Sequence, residues 1–329
     1  MPRLGLRLHG GLDPRRCVEL AAAAEAHGYA SVWFAENPFE RGVMPAAAAC
    51  AAATRRLEIG IGVWNPYLRH PAQIAMEIGA LDELAQGRAA LGIGSGIAAP
   101  IKRLGIDNCR PLGALADTFH IVRGLLRGES VTYRGSVFAV EDAKLSYRPS
   151  RPDLPLLMAA RGPRALALCG RIADGLMVSN MCPPGFATHA STSLRAGTRI
   201  VQYAPCIAMA DRNQAFAAIK PVLAGMLRTF WTLGQKVPAA KASLIDRSGI
   251  PEAGFAAAIE QLQAGVPPEA AIDQRLVEAF SVAGSGEDCL RRIAAYDAAG
   301  VTDLVLTFAG PDPMADMAYL ARFSLGAAT

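Results

Sequence analysis

GIGVWNPYLRHP, residues 60–71, carries the chain out of a strand and into a helix. The apolar positions Leu57, Ile59, Ile61 and Val63 lead into Trp64, and Asn65-Pro66 turns the chain. Pro71 stands where a first helical turn accepts a residue without an amide hydrogen. Gly60 and Gly62 interrupt the strand, although glycine weakens a sheet unless something must approach the backbone closely. An apolar strand followed at once by a helix is the repeating unit of a parallel α/β fold.

The same unit recurs on both sides of this stretch. Residues 3–8 form a strand, and Asp13 (N-cap), Pro14 and Gly28 bracket the helix after it. Strands follow at 29–35 (YASVWFA), 56–63 (RLEIGIGV) and 88–94 (RAALGIG), with helices at 44–54 and from Pro71 to Leu84. The pattern resumes at 154–160 (LPLLMAA), with a helix from Pro163, then 174–179 (DGLMVS), 198–210 (TRIVQYAPCIAMA) and 301–308 (VTDLVLTF). These eight runs are almost continuously apolar, as parallel strands covered on both faces must be. No G-x-G-x-x-G follows the first strand, which argues against an open dinucleotide-binding sheet. The expectation is a (β/α)8 barrel, one domain over 1–329. Insertions are expected at about 97–150, a helix with a β-hairpin, and at about 211–285, helical throughout.

Composition excludes several classes. A hydrophobic share of 52%, a charged share of 19% and a net charge of +4 with scattered basic residues give neither nucleic acid nor a membrane surface a footprint. The apolar stretches are too short to span a bilayer. Seven cysteines without a C-x-x-C pair suggest reduced thiols, and five histidines without ligand spacing make a metal site unexpected. The opening MPRLGLRLHGG lacks the order of a signal peptide, so the expected location is cytoplasmic.

In such a barrel the chemistry sits at the C-terminal ends of the strands. Those ends read His9-Gly10-Gly11, Glu36-Asn37-Pro38, Gly62-Val63-Trp64-Asn65, Gly94-Ser95-Gly96, Arg161-Gly162-Pro163 and Ser179-Asn180. A Gly-Pro step into a helix offers free amides and the positive end of the helix dipole to a phosphate, with Arg161 or Arg164 as countercharge. The bland alternative is a tight turn.

The chain resembles the luciferase-like flavin and deazaflavin oxidoreductases, and among them the F420-dependent methylenetetrahydromethanopterin reductases. The matching pieces are NPYLRHP (65–71), GIGSG (92–96), RGPRALALCGRIADGLMVSN (161–180) and AFSVAGSGEDCLRRIAAYDAAGVTDLVL (279–306). The resemblance implies an oxidoreductase that uses coenzyme F420, or FMN as the alternative, on a small or pterin-like substrate. It places a non-prolyl cis peptide at Gly62-Val63 behind the cofactor ring, which would explain the bare Gly62. It assigns Gly94, Ser95 and Gly96 to the ring and ribityl region. Arg161, Gly162, Pro163, Ser179 and Asn180 fall to the phosphate-bearing tail. A homo-oligomer, dimer or tetramer, is implied as well. An FMN-dependent monooxygenase and a non-catalytic cofactor-binding relative are the competing readings.

The departures from that family fall where protons would move. The reductases carry glutamate at the position of Arg7, an Asp-His or Asp-Tyr pair at Glu36-Asn37, and an acid at Ile97. Glu36 is either a general acid or an acceptor for turn amides. His9 is either catalytic or a structural hydrogen-bonder, and Asn37 either orients substrate or serves the turn before Pro38. Arg7, a charge inside a barrel strand, should face an anionic ligand or pair with a carboxylate such as Glu36. Trp64 is expected to wall the pocket, and His70 to begin a helix.

Overall fold

The apolar runs close on themselves. In a computed structural model that describes residues 1–325, the strands are β1 (Arg3–His9), β2 (Ser31–Ala35), β3 (Glu58–Trp64) and β4 (Ala89–Ile93). They continue as β5 (Val131–Arg134), β6 (Ala139–Ala143), β7 (Leu156–Ala159), β8 (Gly175–Val178), β9 (Arg199–Ala208), β10 (Val282–Gly284) and β11 (Asp303–Phe308). Parallel pairing runs β1-β2-β3-β4-β7-β8-β9-β11, and β11 pairs back onto β1. The eight expected strands therefore form a closed parallel barrel.

Two boundaries differ from expectation. The helix Pro111–Leu126 packs on the helices Pro71–Leu84 and Pro163–Ile172, so it is the barrel's own helix after β4. Only the short helix Ala98–Arg103 and the antiparallel hairpin β5–β6 are additional there. After β9, helices from Arg212 to Phe280 enclose a second apolar core around Leu227, Phe255 and Phe280. That stretch is not helical to its end: β10 extends the sheet by pairing with the last residues of β9. No helix among the described residues is long and apolar enough to cross a membrane.

Side-chain alternation sorts the barrel. In β1, Leu4, Leu6 and Leu8 pack under the helices, while Arg3, Gly5, Arg7 and His9 line the axis. Arg199 plugs the N-terminal end, 2.6 Å from Glu58 and 2.8 Å from Asp303, with Arg3 3.4 Å from Asp303. Above it lie Trp33, Ala90, Leu157, Val201 and Val305, topped by Met177 and Tyr203.

This interior explains the glycines of the opening stretch. A Cβ on Gly60 would fall on the Trp33 ring, and one on Gly62 would strike the Tyr203 hydroxyl and Met177. Gly92 likewise yields to Met177. The side chains that force these positions bare belong to the barrel itself, so Gly62 does not need a cofactor ring to account for it. The Gly62-Val63 peptide is cis, as the resemblance implies, and the pairing with β4 shifts register between Gly62 and Trp64.

Candidate active site at the C-terminal ends of the strands

The barrel's upper end presents the residues in two groups. The first surrounds the axis. Tyr203 on β9 is buried, and its hydroxyl donates to the Gly62 carbonyl at 2.9 Å. Burial pushes the phenol well above its ordinary pKa, although the Arg7 charge pulls the other way. Arg7 lies over the Tyr203 ring, its guanidinium carbon 5.2 Å from the centroid. Its Nη1 reaches only Thr307 Oγ1, at 3.4 Å, and its Nε is sealed from solvent without a partner. Burial lowers the Arg7 pKa, with Tyr203 and Glu40 opposing. The group nonetheless stays protonated at any working pH.

Beside Arg7, His9 Nδ1 accepts from the Gly11 amide at 3.1 Å and lies 3.7 Å from Glu40. Burial and the Arg7 charge hold His9 below its ordinary pKa, against the pull of Glu40, so the ring is neutral near pH 7. With Nδ1 accepting, its proton sits on Nε2. Asn37 donates to Glu40 at 3.1 Å. Glu40 thus joins His9 to Asn37, a link that nothing in the sequence pattern singled out.

Glu36 does not belong to this group. It continues the helix-facing side of Val32 and Phe34, and its carboxylate receives both Arg69 nitrogens at 3.0 and 3.2 Å. Arg69 Nε also pairs with Glu77 at 2.9 Å, and its guanidinium lies 4.6 Å from the Trp64 ring centroid. The expected Arg7–Glu36 pair is replaced by Arg69–Glu36. Trp64 is fully buried under that arginine, in the core between barrel and helices rather than at a pocket wall as expected. His70 caps the helix it precedes, its Nδ1 accepting from the Ala72 amide at 3.2 Å, as expected.

The loops after β3 and β4 are tied together by Asn65. It donates to the Ser95 carbonyl at 2.9 Å and accepts from the Tyr67 amide at 2.9 Å. Gly96 takes φ +65°, and a Cβ there would meet the Asn65 amide nitrogen at 2.6 Å. At Gly94, which bonds the Trp64 carbonyl at 3.0 Å, a Cβ would press on Val63 and Ala159 at 3.0 Å. Gly94, Ser95 and Gly96 therefore line one wall beside the Gly62-Val63 bulge.

The second group lies after β7 and β8. Arg161 donates to Ser179 Oγ at 2.6 Å, to Ser243 Oγ at 2.9 Å and to the Asn180 carbonyl. Its guanidinium lies 4.4 Å from the Phe230 ring centroid. Among the described residues no carboxylate pairs with it. Gly162 opens the helix Pro163–Ile172 with no side chain capping the free amides, and the Asn180 Oδ1 is buried without a partner. All five residues expected near the tail thus converge. Ser243 and Phe230, from the helical segment after β9, were not visible as part of the site. Arg164 is exposed and stands apart.

Residues 1–303 match the family model of the luciferase-like monooxygenases. The chain is 30% identical over 308 residues to the 5,10-methylenetetrahydromethanopterin reductase of Archaeoglobus fulgidus, covering 88% of each. Its fold superposes on the coenzyme F420-dependent tetrahydromethanopterin reductase of Methanopyrus kandleri with TM-score 0.85 and 24% identity, over 98% of both chains. An F420-dependent secondary alcohol dehydrogenase, solved with an F420–acetone adduct, superposes with TM-score 0.76 and 18% identity, over all of this chain and 99% of that one. The chain belongs to the luciferase-like monooxygenase family and is an enzyme of that family.

Proposed function

We propose that this protein is an F420-dependent oxidoreductase that transfers hydride between the cofactor and a small organic substrate. The observation that carries the reading is the uncompensated Arg161 beside an uncapped helix start and the orphaned Asn180 oxygen. A cation, free amides and an amide side chain suit an anionic polar arm. F420 supplies a ring that accepts or gives two electrons as hydride. Arg161, Gly162, Pro163, Ser179 and Asn180 would hold the tail, and Gly62, Val63, Gly94, Ser95 and Gly96 would form a wall for the ring.

The chain's own groups then act on the substrate. His9, neutral and protonated on Nε2, donates a hydrogen bond to a substrate oxygen, while Glu40 and Asn37 hold that side of the mouth. Glu36 takes no part in proton transfer, because Arg69 occupies its carboxylate. The relatives' substrate, methylenetetrahydromethanopterin, is expected to turn over poorly, since Arg7 replaces the glutamate the resemblance implies.

Membership in a monooxygenase family supports one other reading, an FMN enzyme using oxygen. Incubation of the protein with reduced F420 and a panel of carbonyl and unsaturated compounds, in air and without it, separates the two. Oxygen-independent reoxidation of F420 with reduced product supports hydride transfer. Oxygen-dependent turnover with reduced FMN alone refutes it.

A further inference from the structure

The proposed function leaves Arg7 without a task. Among the described residues, two of its three guanidinium nitrogens make no hydrogen bond, and the third makes one long one to a neutral hydroxyl. No carboxylate among the described residues lies within ion-pair distance: Glu40 faces His9 and Asn37, while Glu36 is held by Arg69. The remaining neighbour is the face of Tyr203, itself a neutral phenol bonded to Gly62. A half-buried guanidinium with so few partners and a sealed Nε is costly, and an apolar side chain would fill this barrel position more favourably. Its position gives the reason to keep it. Arg7 lies over the Tyr203 ring, whose hydroxyl bonds the Gly62 carbonyl, two residues before His9 on the same axis-facing side of β1 and towards its C-terminal end.

We infer that Arg7 is a specificity-determining residue that binds an anionic group of the substrate, a carboxylate in the first instance. This rests on the proposed function, because it takes the floor of the mouth as the substrate's side of the cofactor site. The substrate is then a small carboxylic acid with its reducible carbon beside the anion. The carboxylate completes the hydrogen bonding of the guanidinium, and the charge already present excludes cationic compounds. The same cation cannot accept from the N–H donors of a pterin ring, as a carboxylate at this position could.

Binding of benzoate and of benzamide, a matched charged and neutral pair, tests this by NMR titration of the full-length protein with and without F420. The wild type is expected to prefer benzoate by about tenfold or more, with the Arg7 Nε–H resonance shifting on titration. Arg7→Met should abolish the preference, Arg7→Lys should keep part of it, and F420 affinity should change less than about twofold in both. Arg7→Met is also expected to raise the melting temperature, which an arginine serving the fold would not do. Equal binding of the two probes by the wild type overturns the inference, and so does a preference that survives in Arg7→Met. Loss of F420 affinity in both variants assigns Arg7 to the cofactor and overturns it too, leaving the proposed function intact. Failure of the wild type to bind F420 refutes the proposed function instead, while the benzoate preference is still read without cofactor.

Discussion

The Tyr203 hydroxyl and the Gly62 carbonyl, 141 residues apart, are joined by a 2.9 Å hydrogen bond across the barrel interior. It holds the end of β3, where the register shifts, to β9, whose hydroxyl fills the space a side chain at residue 62 would need. Gly62→Ala must push aside a ring and a methionine in a packed interior, at a cost of about 1–3 kcal/mol. Tyr203→Phe removes this bond from a buried carbonyl, costing about 1–2 kcal/mol. Both losses should appear in denaturant melts of the cofactor-free protein. A Gly62→Ala variant that is destabilised only when cofactor is present would show that the ring, not the barrel, keeps this position bare.

Glu36 was a candidate acid by its place after β2, and its partner changes what its removal should do. Glu36→Gln is expected to leave turnover within a few-fold, because the carboxylate is already held by Arg69. Arg69→Met should be worse for the fold than for catalysis. It leaves the buried Glu36 carboxylate without its cation, while the half-buried Glu77 keeps only the bond from Gln73, at a cost of about 3 kcal/mol. Thermal melts and steady-state rates on the two variants check the contrast. A hundredfold fall in turnover with Glu36→Gln at unchanged stability would restore it as an acid.

Asp316 is buried near the end of the barrel, with one carboxylate oxygen unpaired. Burial, helped by nearby Asp312, pushes its pKa up to about 6 from an ordinary 3.8. The folded protein then binds more protons than the unfolded chain between those values, so stability falls as pH rises through that window. Above pH 6 the penalty is complete, of the order of 2–3 kcal/mol. Asp316→Asn should therefore raise the melting temperature at pH 7.5 and flatten its pH dependence between pH 4 and 6. A variant less stable than the parent at pH 7.5 would contradict this.

The barrel was readable because each strand is an apolar run covered on both faces, and because Asp13, Pro14, Pro71 and Pro163 mark where helices begin. What escaped is long-range or very short. β10 spans only Val282–Gly284 and sits between helices, too brief to show a period. Pro111–Leu126 looked like part of an insertion because the hairpin after it delays the next strand. In the site, Arg161, Gly162, Ser179 and Asn180 were legible as strand-end residues, since Ser179 and Asn180 end the strand beside that of Arg161. Ser243 and Phe230 arrive from a different segment. Glu36 and Arg7 were paired on charge alone, whereas the two side chains leave their strands on opposite faces of the barrel wall. Arg69 settles that competition from within NPYLRHP, where it read as turn sequence. Tyr203 lay inside an apolar run, and its contact with Gly62 has no local signature.

The tail site makes a sharp demand on Arg161. Arg161→Met keeps the packing on Phe230 but removes the charge and the bonds to Ser179 and Ser243. Loss of one charged anchor to an anionic tail is expected to weaken F420 binding about tenfold to a hundredfold. A change below twofold would place the tail elsewhere.

Titration of the purified protein with F420 and, separately, with FMN, followed by fluorescence, tests the central claim most directly. Saturable binding of F420 at one site per chain, at least about tenfold tighter than FMN and weakened in Arg161→Met, is the predicted result. Tight FMN binding with none of F420, or binding of neither, would contradict it.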